Sequence, residues 1–285
     1  DMATLFGRTP RLHKKDETRK VQGQLEFDST LQRVVKVDGG LKERLEVAVN
    51  RVLHLPSVGS KGFLVTIGDR TITGLVTRDQ MVGPFQVPVS DVAVTRSSYG
   101  FEVVYGEAMA IGERTPLALL NAAASARMAV GEALTNLAAA TYGDLSRVKL
   151  SANWMCAAAK EGEGQKLYEA VQAIGEDLCP KLGVGIPVGK DSMSMSMKWT
   201  DRGTGEKKDV TAPLSLIVTA FSPVENIRTT WTPQLQIEQE TTHLVFLDLG
   251  LGKQRLGGSA LAQVFREIGV EVPDVEDAKV LKMFL

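Results

Sequence analysis

Only two cysteines, Cys156 and Cys179, occur in 285 residues. They form no Cys-x-x-Cys pair and sit near no clustered histidines, which excludes a disulfide framework or a thiolate zinc site. Both read as buried packing residues. An excess of one charge is also lacking: 33 basic residues face 34 acidic ones, for a formal net charge of -1. No overall field therefore exists to recruit nucleic acid or an anionic membrane surface. No segment approaches the roughly 18 uninterrupted apolar residues of a membrane span. The opening Asp1-Met2-Ala3-Thr4 lacks the basic-then-apolar pattern of a secretory signal, so the expected compartment is the cytosol. The three histidines, His13, His54 and His243, lie far apart and in no motif with a nucleophile.

What is present is ordinary globular composition, 44% hydrophobic and evenly spread. The length suits one large domain or two smaller ones. The basic cluster Arg8, Arg11, Lys14, Lys15, Arg19 and Lys20 reads as a solvated connector. Gly39-Gly40 opens a helical pattern with Leu41, Leu45, Ala48, Val49 and Val52 on one face, stopped by Pro56. Residues 63–67 and 71–76 read as two short strands joined tightly, and residues 91–95 as another strand. Thr115-Pro116 predicts the start of an alanine-rich helix running to Tyr142 and ending at Gly143. A strand at 147–152 and a helix at 164–181, tightened at Pro180, follow. Residues 192–197 alternate serine and methionine, which predicts a strand with its methionines in the core. A turn at 201–205 and a strand at 213–221 precede a polar linker at 225–241. Beyond it, a strand at 243–249 and a helix at 257–268 begin a further α/β unit with too few residues to close its own core.

Three constellations could carry chemistry. Glu132 and Asn136 are four apart on a helix and so share a face. As oxygen donors they suit a hard cation such as magnesium, with Asp91 a third ligand from a strand end. An acid and an amide at this spacing are also an ordinary surface pair. The second constellation is Gly68-Asp69-Arg70 with Arg78-Asp79-Gln80, polar groups at strand ends or simply a salt-bridged turn. The third is Gly189-Lys190-Asp191-Ser192, a glycine turn presenting a cation, an acid and a hydroxyl. It is not the phosphate-binding P-loop, which the chain lacks.

Six phrases in order resemble one family: Gly68-Asp-Arg-Thr-Ile-Thr-Gly74, Thr77-Arg-Asp-Gln-Met-Val-Gly-Pro84, Tyr105-Gly-Glu-Ala-Met-Ala-Ile-Gly-Glu-Arg114, Val130-Gly-Glu-Ala-Leu-Thr-Asn136, Ser151-Ala-Asn-Trp-Met155 and Gly189-Lys-Asp-Ser-Met-Ser194. Together they resemble the large, single-chain phosphoribosylformylglycinamidine synthases. The resemblance implies an α+β fold, an aminoimidazole ribonucleotide synthetase (PurM)-like N-terminal-type domain with a mixed sheet and helices on one face. It implies residues 1–56 as the end of a B1 unit with its connector, 57–225 as an A2 domain, 226–241 as a linker and 242–285 as an incomplete B2 start. It implies a piece of an ATP-dependent ligase making formylglycinamidine ribonucleotide from formylglycinamide ribonucleotide and glutamine.

Asp91, Glu132 and Asn136 fall on positions that in this family bind Mg2+ against ATP or ADP phosphates. Ser90 falls on a nucleotide-contacting position where relatives have alanine, and Lys61 on a lysine near a nucleotide site. Two carboxylates about 4 Å apart repel by roughly 4 kcal/mol at an effective dielectric of about 20, which a cation between Asp91 and Glu132 would relieve. The resemblance also implies partners: an A1 unit paired across the sheets and a glutaminase domain, or self-association of this piece, with no nucleic acid and no membrane. The alternatives are a non-catalytic nucleotide-binding scaffold half of the same enzyme, or another ATP-dependent enzyme of the fold.

Overall fold

The computed structural model describes residues 2, 7, 13–19, 21, 23, 26–68, 70, 74–238 and 241–285. In chain order these form α1 (Leu41–Leu53), α2 (Gly62–Ile67), β1 (Val92–Arg96), β2 (Gly106–Glu113), a 3-10 turn (Thr115–Leu119), α3 (Ala122–Leu137) and β3 (Lys149–Met155). There follow α4 (Glu163–Gln172), a π segment (Ala173–Leu178), α5 (Cys179–Leu182), β4 (Gly185–Ser192), β5 (Ser196–Thr200), β6 (Lys207–Thr211), β7 (Ser215–Val224), α6 (Ala260–Val264) and α7 (Ala278–Phe284). Five strands make one sheet in the order β1-β2-β7-β3-β4, and β5 with β6 makes a separate hairpin. Only β3 and β4 run parallel, so the sheet is mixed. The architecture is α+β.

Alternation decides which face is covered. In β2 and β7 every second residue is buried, and Ala108, Ala110, Leu216, Val218 and Ala220 join α3 and the π segment in the main core. The opposite face stays open, with Ile111, Val188 and Phe221 exposed. Helix α3 lies close to the sheet because both partners are small where they cross. A Cβ on Gly112 would fall 2.1 Å from the Ala129 carbonyl oxygen and 2.5 Å from the Ala133 nitrogen, so only glycine permits this approach. A second, smaller cluster joins Leu31, Val35 and Ala48 of the N-terminal part to Leu261 and Phe265 of the C-terminal part.

Several expectations need correction. Residues 63–67 form the helix α2 and not a strand; of residues 71–76, positions 71–73 lie outside the described residues, while Val76 bridges Thr95 beside β1. The long alanine-rich helix does not begin at Thr115. Thr115-Pro116 starts a 3-10 turn, and Asn121 caps α3 by accepting the Ala124 N–H at 3.0 Å. α3 also ends at Leu137, short of Tyr142. The helix expected over 164–181 contains a π segment, and Pro180 sits in its last turn before Gly183 at φ 81. Residues 192–197 are split between β4 and β5; Met193 packs on the core, but Met197 is exposed. Residues 243–249 form no strand, and only Ala260–Val264 of the expected 257–268 helix is helical.

The basic connector is corrected in part, since Arg8, Arg11 and Lys20 lie outside the described residues. Asp16 accepts the Gly162 N–H at 2.7 Å and the Gln165 N–H at 3.3 Å, and Lys14 donates to the Ala158 carbonyl at 2.7 Å. The segment is docked on the start of α4. Both cysteines are buried, and burial pushes each thiol up to about 11.

Candidate functional site

Close packing of α3 on β2 sets two side chains. Glu132 and Asn136, one turn apart, both reach the backbone at the end of β2. Glu132 Oε2 accepts the Glu113 N–H at 2.7 Å, and Asn136 Nδ2 donates to the Ile111 carbonyl at 3.0 Å. Glu132 Oε1 pairs with Arg114 Nη2 at 2.7 Å. Thus the carboxylate is neutralised by a guanidinium, while the asparagine, its NH2 anchored, keeps its carbonyl oxygen for another partner.

The two residues border a cavity of about 400 Å³ whose far wall is the C-terminal segment, including Leu249, Lys253, Arg255 and Asp274. That wall is held by charge. Arg127 Nε donates to Asp274 Oδ1 at 2.7 Å while Nη2 engages Oδ2, a two-pronged fork from α3. The bond to Asp274 raises the Arg127 pKa above the ordinary arginine value against the opposing effect of burial. Glu276 pairs with Lys253 and Arg255, and the Lys253 hydrogen bond, ahead of Arg255, holds its carboxyl below the usual range.

The other expected site residues sit at a neighbouring hairpin. Its base is closed by the Ser90 N–H to Gln80 carbonyl bond at 2.8 Å, the Val82 N–H to Pro88 carbonyl bond at 2.8 Å and a Met81–Val89 bridge. Lys61 caps α2 instead of preceding a strand, and the next residue lies beside this hairpin, since a Cβ on Gly62 would be 3.8 Å from Met81 Cε. Lys61 and Ser90 therefore flank one structure. Asp91 is exposed, one step beyond the Val92–Ala110 pair, and so level with Ile111, whose carbonyl holds Asn136. It does not line the cavity of Glu132 and Asn136. Among the described residues no three His, Cys, Asp or Glu side chains gather at one point. Lys190 lies on β4 opposite Asn153 and contacts Ser192, with its side chain exposed.

Sequence reasoning missed Arg114, Lys253, Arg255 and Asp274. Arg114 stood inside a quoted phrase but carried no spacing signal. The others come from more than a hundred residues away, where only folding pairs them with α3.

A model of the FGAR-AT PurM_N-like domain matches residues 60–223. The chain belongs to the FGAR-AT PurM_N-like domain family. The phosphoribosylformylglycinamidine synthase of Schizosaccharomyces pombe is 54% identical to it over 286 aligned residues, covering 100% of this chain and 21% of that protein. This member of the FGAR-AT PurM_N-like family thus spans about a fifth of the length of that curated relative. Among solved structures, Thermotoga maritima PurL complexed with FGAR is 16% identical, with TM-score 0.42, over 81% of this chain and 30% of that one. The same protein complexed with AMPPCP is 17% identical, with TM-score 0.39, over 78% and 29%.

Proposed function

We propose that this chain is an internal segment of a cytosolic phosphoribosylformylglycinamidine synthase, and that it contributes a magnesium-nucleotide site to that ligase. The carrying observation is 54% identity along the whole chain to the Schizosaccharomyces pombe synthase. Residues 57–225 are the A2 domain, a division supported by the family match over 60–223; residues 1–56 end the preceding unit, 226–241 link, and 242–285 open the next. The exposed Ile111, Val188 and Phe221 on the uncovered sheet face suit pairing with a second domain of the same kind. The remaining parts, including the glutaminase domain that supplies ammonia, belong to the rest of the enzyme.

Glu132, Asn136 and Asp91 are the magnesium ligands of this reading, with Ser90 and Lys61 on the nucleotide. The donor types suit a hard cation: the Glu132 carboxylate, already shared by Arg114 and the Glu113 N–H, the Asn136 amide oxygen left open by the Ile111 anchor, and the Asp91 carboxylate, which stands on the adjacent strand end outside their cavity. Magnesium there would neutralise phosphate charge. Arg114 already balances Glu132 and would share it with the ion. Lys61 supplies a further cation for phosphate oxygens. In the complete reaction, ATP activates the formyl amide oxygen as a phosphate ester, and ammonia then displaces it; this segment's residues bind and orient.

A second reading is favoured by one observation. Glu132 and Asn136 tie α3 to β2 through the backbone of Glu113 and Ile111, which suits a structural nucleotide that holds the fold without reacting. Both versions require that the complete enzyme retain nucleotide through these residues. Replacing Asp91→Asn and Glu132→Gln together abolishes the ADP or ATP released on denaturing the purified enzyme. Unchanged nucleotide content rejects the assignment.

A further inference from the structure

We propose that Arg78 is an anion-binding residue, forming with the hydroxyls of Ser90 and Thr230 a subsite for the phosphate group of a small molecule. The hairpin holds two arginines with opposite fates. Arg70 pairs with Asp79 at 2.7 Å and donates to the Gln86 side-chain oxygen at 2.7 Å. Asp79 spends its other oxygen on the Met81 N–H at 3.0 Å, so the one acid next to Arg78 in sequence is already used. Arg78 pairs with no carboxylate among the described residues. Its two contacts are the Thr230 carbonyl at 3.4 Å and Ser90 Oγ at 3.5 Å. Both acceptors are neutral, and both distances exceed the roughly 2.7 to 3.2 Å of a good N–H···O bond.

A half-buried guanidinium in this condition has given up water without gaining a counter-charge, and burial lowers its pKa accordingly. It stays protonated nonetheless, because arginine does not titrate in proteins. Its planar fork of donors matches two oxygens of a phosphate. The surroundings hold two hydroxyls: Thr230 Oγ1 is buried with no hydrogen-bond partner, and the single proton of Ser90 Oγ, in a long 3.3 Å bond to the Val92 carbonyl, serves an anion once it turns from that weak contact. Lys61, whose ammonium donates to the Gly59 carbonyl, precedes Gly62, the residue that lies beside Met81 of the hairpin. The Ser90 to Gln80 backbone bond at the hairpin base holds Ser90 in place ahead of any ligand.

The inference rests on the nucleotide reading only for which molecule carries the phosphate. The test titrates the complete synthase with ADP, ribose 5-phosphate and inorganic phosphate by calorimetry, alongside the Arg78→Ala, Arg78→Lys and Arg78→Gln variants. Loss of a charge-assisted pair weakens binding by about ten- to a hundredfold, with Arg78→Lys intermediate because it keeps charge and loses the fork. Weakening confined to ADP assigns a nucleotide phosphate, and weakening confined to ribose 5-phosphate assigns a sugar phosphate; either supports the subsite. Unchanged affinities for all three ligands in a folded Arg78 variant overturn it, as does a wild-type enzyme that binds none of them. If phosphate binding needs Arg78 while nucleotide content ignores Asp91 and Glu132, the metal reading falls and the subsite stands. The reverse pattern removes the subsite and leaves the metal reading.

Discussion

The middle of the chain and its two flanks are held together by different forces. Around α3 the contacts are apolar and close: Leu134, Leu137, Leu150, Val218 and Ile174 are fully buried, and Gly112 lets helix and strand backbones nearly touch. Full burial of a leucine or isoleucine contributes about 1.5 to 3 kcal/mol and carries no group that titrates. The flanks add charged fastenings, Asp16 on the start of α4 and Arg127 on Asp274, and at the C-terminal flank these stand beside an apolar one, Leu281, buried in the main core. Farther out, the C-terminal part leaves Leu244, Val245 and Phe246 exposed. The centre supplies its own core, whereas the C-terminal flank keeps these large apolar side chains at the surface.

The contrast breaks most sharply at Gly112. Gly112→Ala drives a methyl into the Ala129 carbonyl, and we expect it to cost about 3 kcal/mol, at the upper end of the overpacking range. Urea unfolding followed by circular dichroism measures the loss, and an unchanged midpoint would mean that α3 can shift away from β2. Because Glu132 and Asn136 reach β2 only at this spacing, the same variant also loosens the candidate site. Arg127→Met tests the C-terminal flank. Removing the fork that binds Asp274 costs about 1.5 to 3 kcal/mol of docking, read as faster hydrogen exchange in α7 with the sheet amides unaffected. Equal acceleration in both places would show that flank and centre open as one.

How much was legible follows the same division. The strands expected at 91–95, 147–152 and 213–221 fall on β1, β3 and β7, which strand-forming residues fill, whereas β2 alternates as regularly in burial but is built of glycine, alanine and glutamate and was not expected. The run Phe63-Leu-Val-Thr-Ile67 has the composition of a strand but became α2, with Phe63, Leu64 and Ile67 exposed; six residues are too few for periodicity to overrule propensity. Residues 243–249 have strand chemistry and, among the described residues, no neighbouring strand to pair with. Thr115-Pro116 marked a real chain turn, but Asn121 held the cap that started α3. In the site, the four-residue spacing of Glu132 and Asn136 foretold their common face. Arg114, Lys253 and Asp274 were not legible, because charge pairing across distant segments leaves no local pattern.

The smallest expected effect lies at the N-terminal flank, and acid can probe it without mutation. The Asp16 carboxyl is held below its usual range, chiefly by the Gly162 N–H and further by Lys14 and Gln165. A depressed carboxyl stabilises the docked segment fully above its unfolded pKa, about 3.9, and loses that contribution as pH falls through the lower folded value. Exchange at the Gly162 and Gln165 amides, corrected for intrinsic chemistry, should therefore stay slow near neutrality and accelerate only below about pH 4. Asp16→Asn should remove that acid step and raise exchange slightly at every pH, since an amide oxygen accepts these bonds more weakly than a carboxylate does. If the step persists in Asp16→Asn, another acid fastens the segment, and the charge-held flank would have to be sought elsewhere along residues 13–19.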